Sequence, residues 1–198
     1  MAATVDYYLT PQSPWTYLGH DRFAAIARRA GAPVHVLPVD LGKVFPVSGG
    51  LPLPQRAPQR QAYRLIELRR WADHLGKPLT LHPRYFPVSG DDASRLITTV
   101  REQHGADAAM TLTGAILRAV WAEERNIADA QELAAMLSAC GLPSACLEQS
   151  RRPEVQALYE AASQQAIERK VFGAPSYVID GELFWGQDRL DFVERRLA

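Results

Sequence analysis

"TPQSPWTYLG", residues 10–19, follows a short apolar run and opens a helical pattern. It places Ser13-Pro14-Trp15-Thr16 where a dithiol redox site would carry Cys-Pro-x-Cys. Pro14 suits a first helical position, because its missing N–H would have had no partner there, and Ser13 then becomes the N-cap. Capping contributes about 0.5 to 2 kcal/mol and accounts for a serine by itself. The turn has a second property. Unpaired backbone N–H groups and the helix dipole favour negative charge at a helix N-terminus, which is why a cysteine so placed ionises near neutral pH. A serine supplies no sulfur, yet its hydroxyl could steady a thiolate that arrives with a bound small molecule.

Upstream, "TVDYYL" (4–9) reads as a strand rich in β-branched and aromatic residues. Downstream, Leu18, Phe23, Ile26, Ala27 and Ala30 recur at helical spacing, and Gly31 stops the helix. "PVHVLPVDL" (33–41) reads as a second strand, so the opening unit is a parallel β-α-β crossover. "GKVFPVSGGLPLPQRAP" (42–58) is too rich in proline and glycine for a regular element of any length and reads as an ordered loop. Helical patterns follow over 59–75, 92–104, 108–124 and 128–141, with no strand pattern among them. From Pro153 a long amphipathic helix presents Val155, Leu158, Tyr159, Ala162 and Ala166 on one face. In "VFGAPSYVIDGELFWG" (171–186) two apolar runs flank Asp180-Gly181, a strong hairpin signal. "QDRLDFVERRLA" closes the chain as a helix.

With the helical block removed, the order β, α, β, α, β, β, α is that of a thioredoxin-like fold. The sequence therefore predicts an α/β thioredoxin-like domain over 1–42 and 153–198, with a large all-helical insertion over 43–152.

That fold gives two further stretches a place. A proline is disfavoured in a central strand unless it serves a bulge or a cis turn. In thioredoxin-like proteins a cis-proline faces the active-site turn, and the residue before it offers backbone groups to a bound thiol peptide. Pro175 and Ala174 fit these positions. In "WGQDR" (185–189), Gln187 and Asp188 are good residues for a helix start. A carboxylate there could also pair with an α-ammonium, and the helix N-terminus with a carboxylate. The γ-glutamyl end of glutathione carries both. Trp185 serves equally as core or as a wall.

The remaining composition excludes much. Twenty-two basic and 22 acidic residues give no global field to favour nucleic acid or an anionic membrane. No uncharged apolar run approaches membrane-spanning length, and the N-terminus has no basic leader, which predicts a cytoplasmic protein. Cys140 and Cys146 are spaced wrongly for a redox pair and are too few for zinc, which predicts free, buried or half-exposed thiols. His20, His35, His74 and His104 show no metal-ligand spacing. Dithiol redox chemistry is set aside, since Ser13 and Thr16 stand where both cysteines would be.

Taken together, Ser13-Pro14-Trp15-Thr16-Tyr17, the helical block and "AIERKVFGAPSYVIDGELFWGQDRL" (166–190) resemble the 2-hydroxychromene-2-carboxylate isomerases, relatives of the kappa-class glutathione transferases within the DsbA-like thioredoxin fold. The resemblance implies a glutathione-dependent isomerase of aromatic breakdown. Ser13 would hold the glutathione thiolate, Ala174 its backbone, and Gln187 and Asp188 its γ-glutamyl end, with Pro175, Trp185 and Gly186 completing the cofactor site. It further implies a small aromatic carboxylate as substrate, met by Tyr85 and Lys43, and a homodimer. Pro54 departs from the family's pattern, standing where well-studied isomerases carry an asparagine, so the substrate is less defined than the cofactor. His82 and Arg84 flank Tyr85 and could remake an anionic pocket, although solvated loop positions explain them as well. Two other functions fit the same residues: a kappa-like glutathione transferase or peroxidase, and a non-catalytic thiol-peptide binding module.

Overall fold

In the computed structural model, which describes residues 3–198, strand β1 (Val5–Leu9) runs through a tight turn into helix α1 (Pro14–Ala30). Gly31 stops α1 at φ 60°, its N–H turned back onto Ala27 and Arg28 carbonyls. Strand β2 (Val34–Pro38) lies parallel to β1 with Val34 beside Val5.

Residues 41–48 then form helix α2 (Leu41–Ser48), where proline and glycine density predicted a loop. Two anchors outweigh that composition. Gly42 N donates to Asp40 Oδ1 at 2.7 Å, capping the first turn. Val44 is fully buried in a cluster with Tyr8, Leu37 and Val39. Pro46 removes one internal hydrogen bond near the end of the helix, and Gly49 (φ 75°) terminates it.

The helical lobe comprises α3 (Pro58–Leu75), α4 (Asp91–Trp121), α5 (Ala130–Ala139) and α6 (Ala145–Gln149). Helix α4 is broken at Gly105, whose φ 84° and ψ 176° suit glycine alone. The half before the break meets the sheet edge, where Arg101 Nη1 donates to Val36 O at 2.9 Å. The half after it meets α1. Helix α7 (Pro153–Glu168) buries Val155, Tyr159, Ala162, Ser163 and Ala166. Leu158, predicted on that face, is 38% exposed, because it falls at the rim of a narrow stripe. Cys140 and Cys146 are free, half-buried and buried respectively, and burial pushes both thiols up from their ordinary pKa.

Strands β3 (Ser176–Ile179) and β4 (Glu182–Trp185) form the predicted hairpin, with positive φ at both Asp180 and Gly181. β3 runs antiparallel to β1, and the sheet order is β2-β1-β3-β4. A 3-10 turn (Gln187–Arg189) leads into α8 (Leu190–Leu197). This is the thioredoxin-like fold expected from the element order. No helix among the described residues is long and apolar enough to cross a membrane.

One apolar core runs from Tyr7, Leu9 and Tyr177 of the sheet through Phe23 of α1 to Leu112 and Leu133 of the lobe. Tyr7 and Tyr177 stack with ring centres 5.3 Å apart, and Phe23 lies 4.6 Å from each. His20 is buried beside them. Tyr7 Oη donates to His20 Nδ1 at 3.1 Å, and His20 Nε2 donates to Met110 O at 2.9 Å. A carbonyl only accepts, so Nε2 carries a proton, and burial keeps the ring neutral, leaving Nδ1 to accept from Tyr7. Burial pushes His20 down to about 4, against the pull of the Met110 carbonyl. One imidazole thus ties α1 to the sheet and to α4.

Because its folded pKa lies below the ordinary 6.5, His20 contributes stability that is full above about pH 6.5 and is lost as pH falls toward 4. The shift corresponds to roughly 3 kcal/mol across that window. Urea unfolding of the wild type and of His20→Gln at pH 7, 5.5 and 4 should show a difference in stability that narrows as the pH falls.

Candidate functional site

The site is built where α1 begins. Thr16 N donates to Ser13 Oγ at 3.1 Å, so the serine is the cap that its position predicted. The first turn of this 17-residue helix contains no acidic residue, and its positive end is left uncompensated. Ser13 is 8% exposed and its hydroxyl donates to Ala174 O at 3.3 Å, across 161 residues of chain. That bond is long for O–H···O. The hydroxyl can therefore turn to donate to a stronger acceptor at small loss.

The Ala174–Pro175 peptide is cis, which fits the place that the thioredoxin-like fold gave Pro175. Its loop is pinned on both sides: Ser176 Oγ donates to Gly173 O at 2.7 Å, and Gly186 N donates to Pro175 O at 2.9 Å. Between these, Ala174 O accepts only the Ser13 hydroxyl, and Ala174 N–H has no partner among the described residues. A donor and an acceptor on one residue are the pair that an extended peptide backbone would use.

Two glycines shape the wall. A methyl group on Gly173 would stand 2.5 Å from Trp185 Nε1, so the indole lies directly over the loop. Trp185 packs on Phe172 with ring centres 5.0 Å apart, and the two rings are 50% and 40% exposed. Gly186 has φ 96°, and a methyl group there would stand 2.5 Å from Asp188 Oδ1.

Gln187 and Asp188 diverge. Gln187 is buried, with Oε1 accepting from Arg22 Nη1 at 3.1 Å and Nε2 lacking a partner. Asp188 faces solvent, where its Oδ2 accepts from Arg189 at 2.5 Å. Of the two, the aspartate is the group open to a ligand. Lys43, on α2, pairs with Glu160 of α7 at 3.5 Å. Tyr85 is half-buried, with the Arg84 guanidinium 5.2 Å from its ring centre. Among the described residues, neither Lys43 nor Tyr85 hydrogen-bonds to Ser13 or Ala174. His82 and Arg84 are exposed, and Pro54 lies in an exposed 3-10 turn. A groove of about 630 Å3 runs along β4 and α8 and includes Trp185; a cleft of about 410 Å3 opens between α1 and the lobe. Ser13 lines neither.

Sequence reasoning missed Gly173, Arg22 and Gly19. A methyl group on Gly19 would lie 2.7 Å from Gln187 Cβ, so the 3-10 turn seats directly on α1. A glycine inside an otherwise regular helical pattern was the available signal.

Strand order, cis loop and helix-start serine define a thioredoxin-fold protein with Ser13 and Thr16 where a dithiol member carries its cysteines. Residues 4–198 match the model of the DSBA-like thioredoxin domain. A 2-hydroxychromene-2-carboxylate isomerase of Sphingobium xenophagum is 32% identical over 199 residues, covering all of this chain and 99% of that protein. One from Pseudomonas putida is 30% identical, covering 98% and 94%. A solved structure of such an isomerase superposes with a TM-score of 0.79 at 28% identity, covering 97% and 93% of the two chains. The chain belongs to the DsbA-like thioredoxin family and, within it, to the 2-hydroxychromene-2-carboxylate isomerases.

Gly19→Ala forces Gln187 away from α1, and its backbone, 3.3 Å from the added methyl, has little room to yield. Urea unfolding should show a loss of about 1 to 3 kcal/mol. An unchanged midpoint would show that the turn does not depend on this contact.

Proposed function

We propose that this protein is a glutathione-dependent isomerase interconverting 2-hydroxychromene-2-carboxylate and trans-o-hydroxybenzylidenepyruvate. The observation that carries the reading is the Ser13–Ala174 contact, a hydroxyl at an uncompensated helix N-terminus facing a cis-proline loop. Family membership supports an isomerase; this geometry supports glutathione as its thiol.

The residues fit that tripeptide. Ala174 offers N–H and C=O to a peptide backbone, the bare Gly173 backbone lets the Trp185 indole lie against the loop as a wall, and Asp188, drawn close to Gly186, offers a carboxylate to an ammonium. The chemistry glutathione would supply is a nucleophilic thiolate that adds reversibly to the conjugated chromene and leaves unchanged, with ring opening and bond rotation between. Ser13 turns its O–H from Ala174 O toward the sulfur and stabilises the charged form over the thiol. The helix N-terminus adds to that preference without moving a proton. Turning the hydroxyl also releases Ala174 O to accept from the ligand backbone. Trp185 and Phe172 give the outer side of the cis-proline loop an apolar surface, and Tyr85 supplies a phenol for an oxygen of the substrate.

Adding glutathione to the protein should raise thiolate ultraviolet absorbance at neutral pH, and Ser13→Ala should abolish that rise and slow turnover roughly 100-fold, as loss of one aimed donor does. The variant should still fold, losing about 1 kcal/mol with its cap. Turnover of an aryl halide with none of the chromene would overturn the isomerase assignment in favour of a transferase. Unchanged absorbance and rate in Ser13→Ala would overturn the role of the serine.

A further inference from the structure

Helix α3 carries charge that the chain does not balance. Arg60 and Arg64 stand four residues apart on one face, a spacing at which like charges repel. The Arg56 backbone is held to the same first turn by Gln61 Nε2, which donates to its carbonyl at 2.7 Å, while Arg56 Nε donates to Leu51 O at 2.8 Å, a neutral partner. Among the described residues, no carboxylate forms an ion pair with any of the three, although Arg70 further along pairs with Glu67 at 2.8 Å. Arg64 is the innermost, its guanidinium carbon 5.6 Å from the Phe86 ring centre and 5.7 Å from that of Trp121. Burial, aided by Arg56, pushes its pKa down to about 10. The chain thus gives this cation aromatic walls and no anion, an arrangement that a bound anion would relieve.

The place matters as much as the charge. Phe86 adjoins Tyr85 and the cis Pro87, and the same segment ends at Gly90. A methyl group on Gly90 would lie 3.2 Å from Pro11 Cγ and 3.5 Å from Gln12 Nε2. Ser13 is the next residue. Segment 85–90 therefore leads from the arginines to the turn that holds the serine.

We infer that Arg64, with Arg56 and Arg60 behind it, binds the carboxylate of the small aromatic acid turned over at Ser13. A guanidinium resting over the paired Phe86 and Trp121 rings keeps its N–H fork for a planar carboxylate, a geometry that lysine cannot offer. The inference rests on the proposed isomerase reading for the identity of the acid, but not for its charge.

The test uses chromone-2-carboxylate, an unreactive acid of the same shape, and its uncharged methyl ester as calorimetric probes, alongside turnover of the chromene substrate. Arg64→Gln should weaken acid binding about 10- to 100-fold, the worth of a charge-assisted pair, with ester and glutathione affinities unchanged. The KM for the chromene should rise by the same factor at nearly constant kcat. Arg60→Gln removes an exposed side chain, so it keeps the fold; relief of repulsion should raise its melting temperature slightly while acid affinity falls about threefold. Wild-type acid affinity in both variants would overturn the arginine site even with isomerase turnover intact. Loss of glutathione affinity in place of acid affinity would overturn it too. Arg64-dependent acid binding without turnover would uphold the site and overturn the isomerase reading.

Discussion

Tyr8 of β1 lies opposite Ser176 of β3 in the antiparallel ladder at the centre of the sheet, and this register brings the two halves of the site together. Chain leaving β1 meets Ser13 four residues after Leu9; chain entering β3 has just passed Ala174 and Pro175. A slip of one residue would turn every side chain of β3 to the opposite face and separate the hydroxyl from its carbonyl. Against that slip stand the stacked Tyr7 and Tyr177, packed on Phe23, whose aromatic pairs contribute about 0.5 to 1.5 kcal/mol each beyond their burial. The core fixes the register, and the register fixes the chemistry.

The electrostatics of the turn separate two things that a cysteine would combine. One is a place that favours negative charge, supplied by the start of α1; the other is the atom that carries the charge. Here only the place is encoded. Ser13 keeps the cap through Thr16 N while its proton rests on a long bond to Ala174 O. The group that steadies α1 and the group proposed to receive a thiolate are one side chain, which explains how a common capping residue can serve a particular function.

Much of this was legible in the residues. Ser13, Pro14 and Gly31 delimit α1 by capping rules alone, and Asp180-Gly181 gives the hairpin because few other pairs adopt two positive φ angles. Pro175 before an apolar run allowed a bulge or a cis turn, and the thioredoxin-like element order favoured the cis turn. Less legible were contacts that join distant stretches. Helix α2 escaped because Val44 is anchored by Tyr8 and Val39, and no local pattern records that. Gln187 reads as an exposed helix starter, yet Arg22 and the bare surface of Gly19 draw it inward. No local pattern marks Arg60 and Arg64 as lacking ion-pair partners among the described residues, or sets Arg64 over the Phe86 and Trp121 rings.

The break in α4 carries a consequence of another kind. Unbroken, 31 residues would make a rod about 46 Å long, committed to a single direction. Nothing lies within 4 Å of where a side chain on Gly105 would begin, so the position is reserved by torsion alone and not by crowding. It works as a mitred joint: the length before it is fixed to the sheet edge, and the length after it answers to α1 and the lobe. The two lengths answer to different partners: one holds the sheet edge through Arg101, the other holds α1 through Met110 and His20, so one helix braces both sides of the turn that bears Ser13.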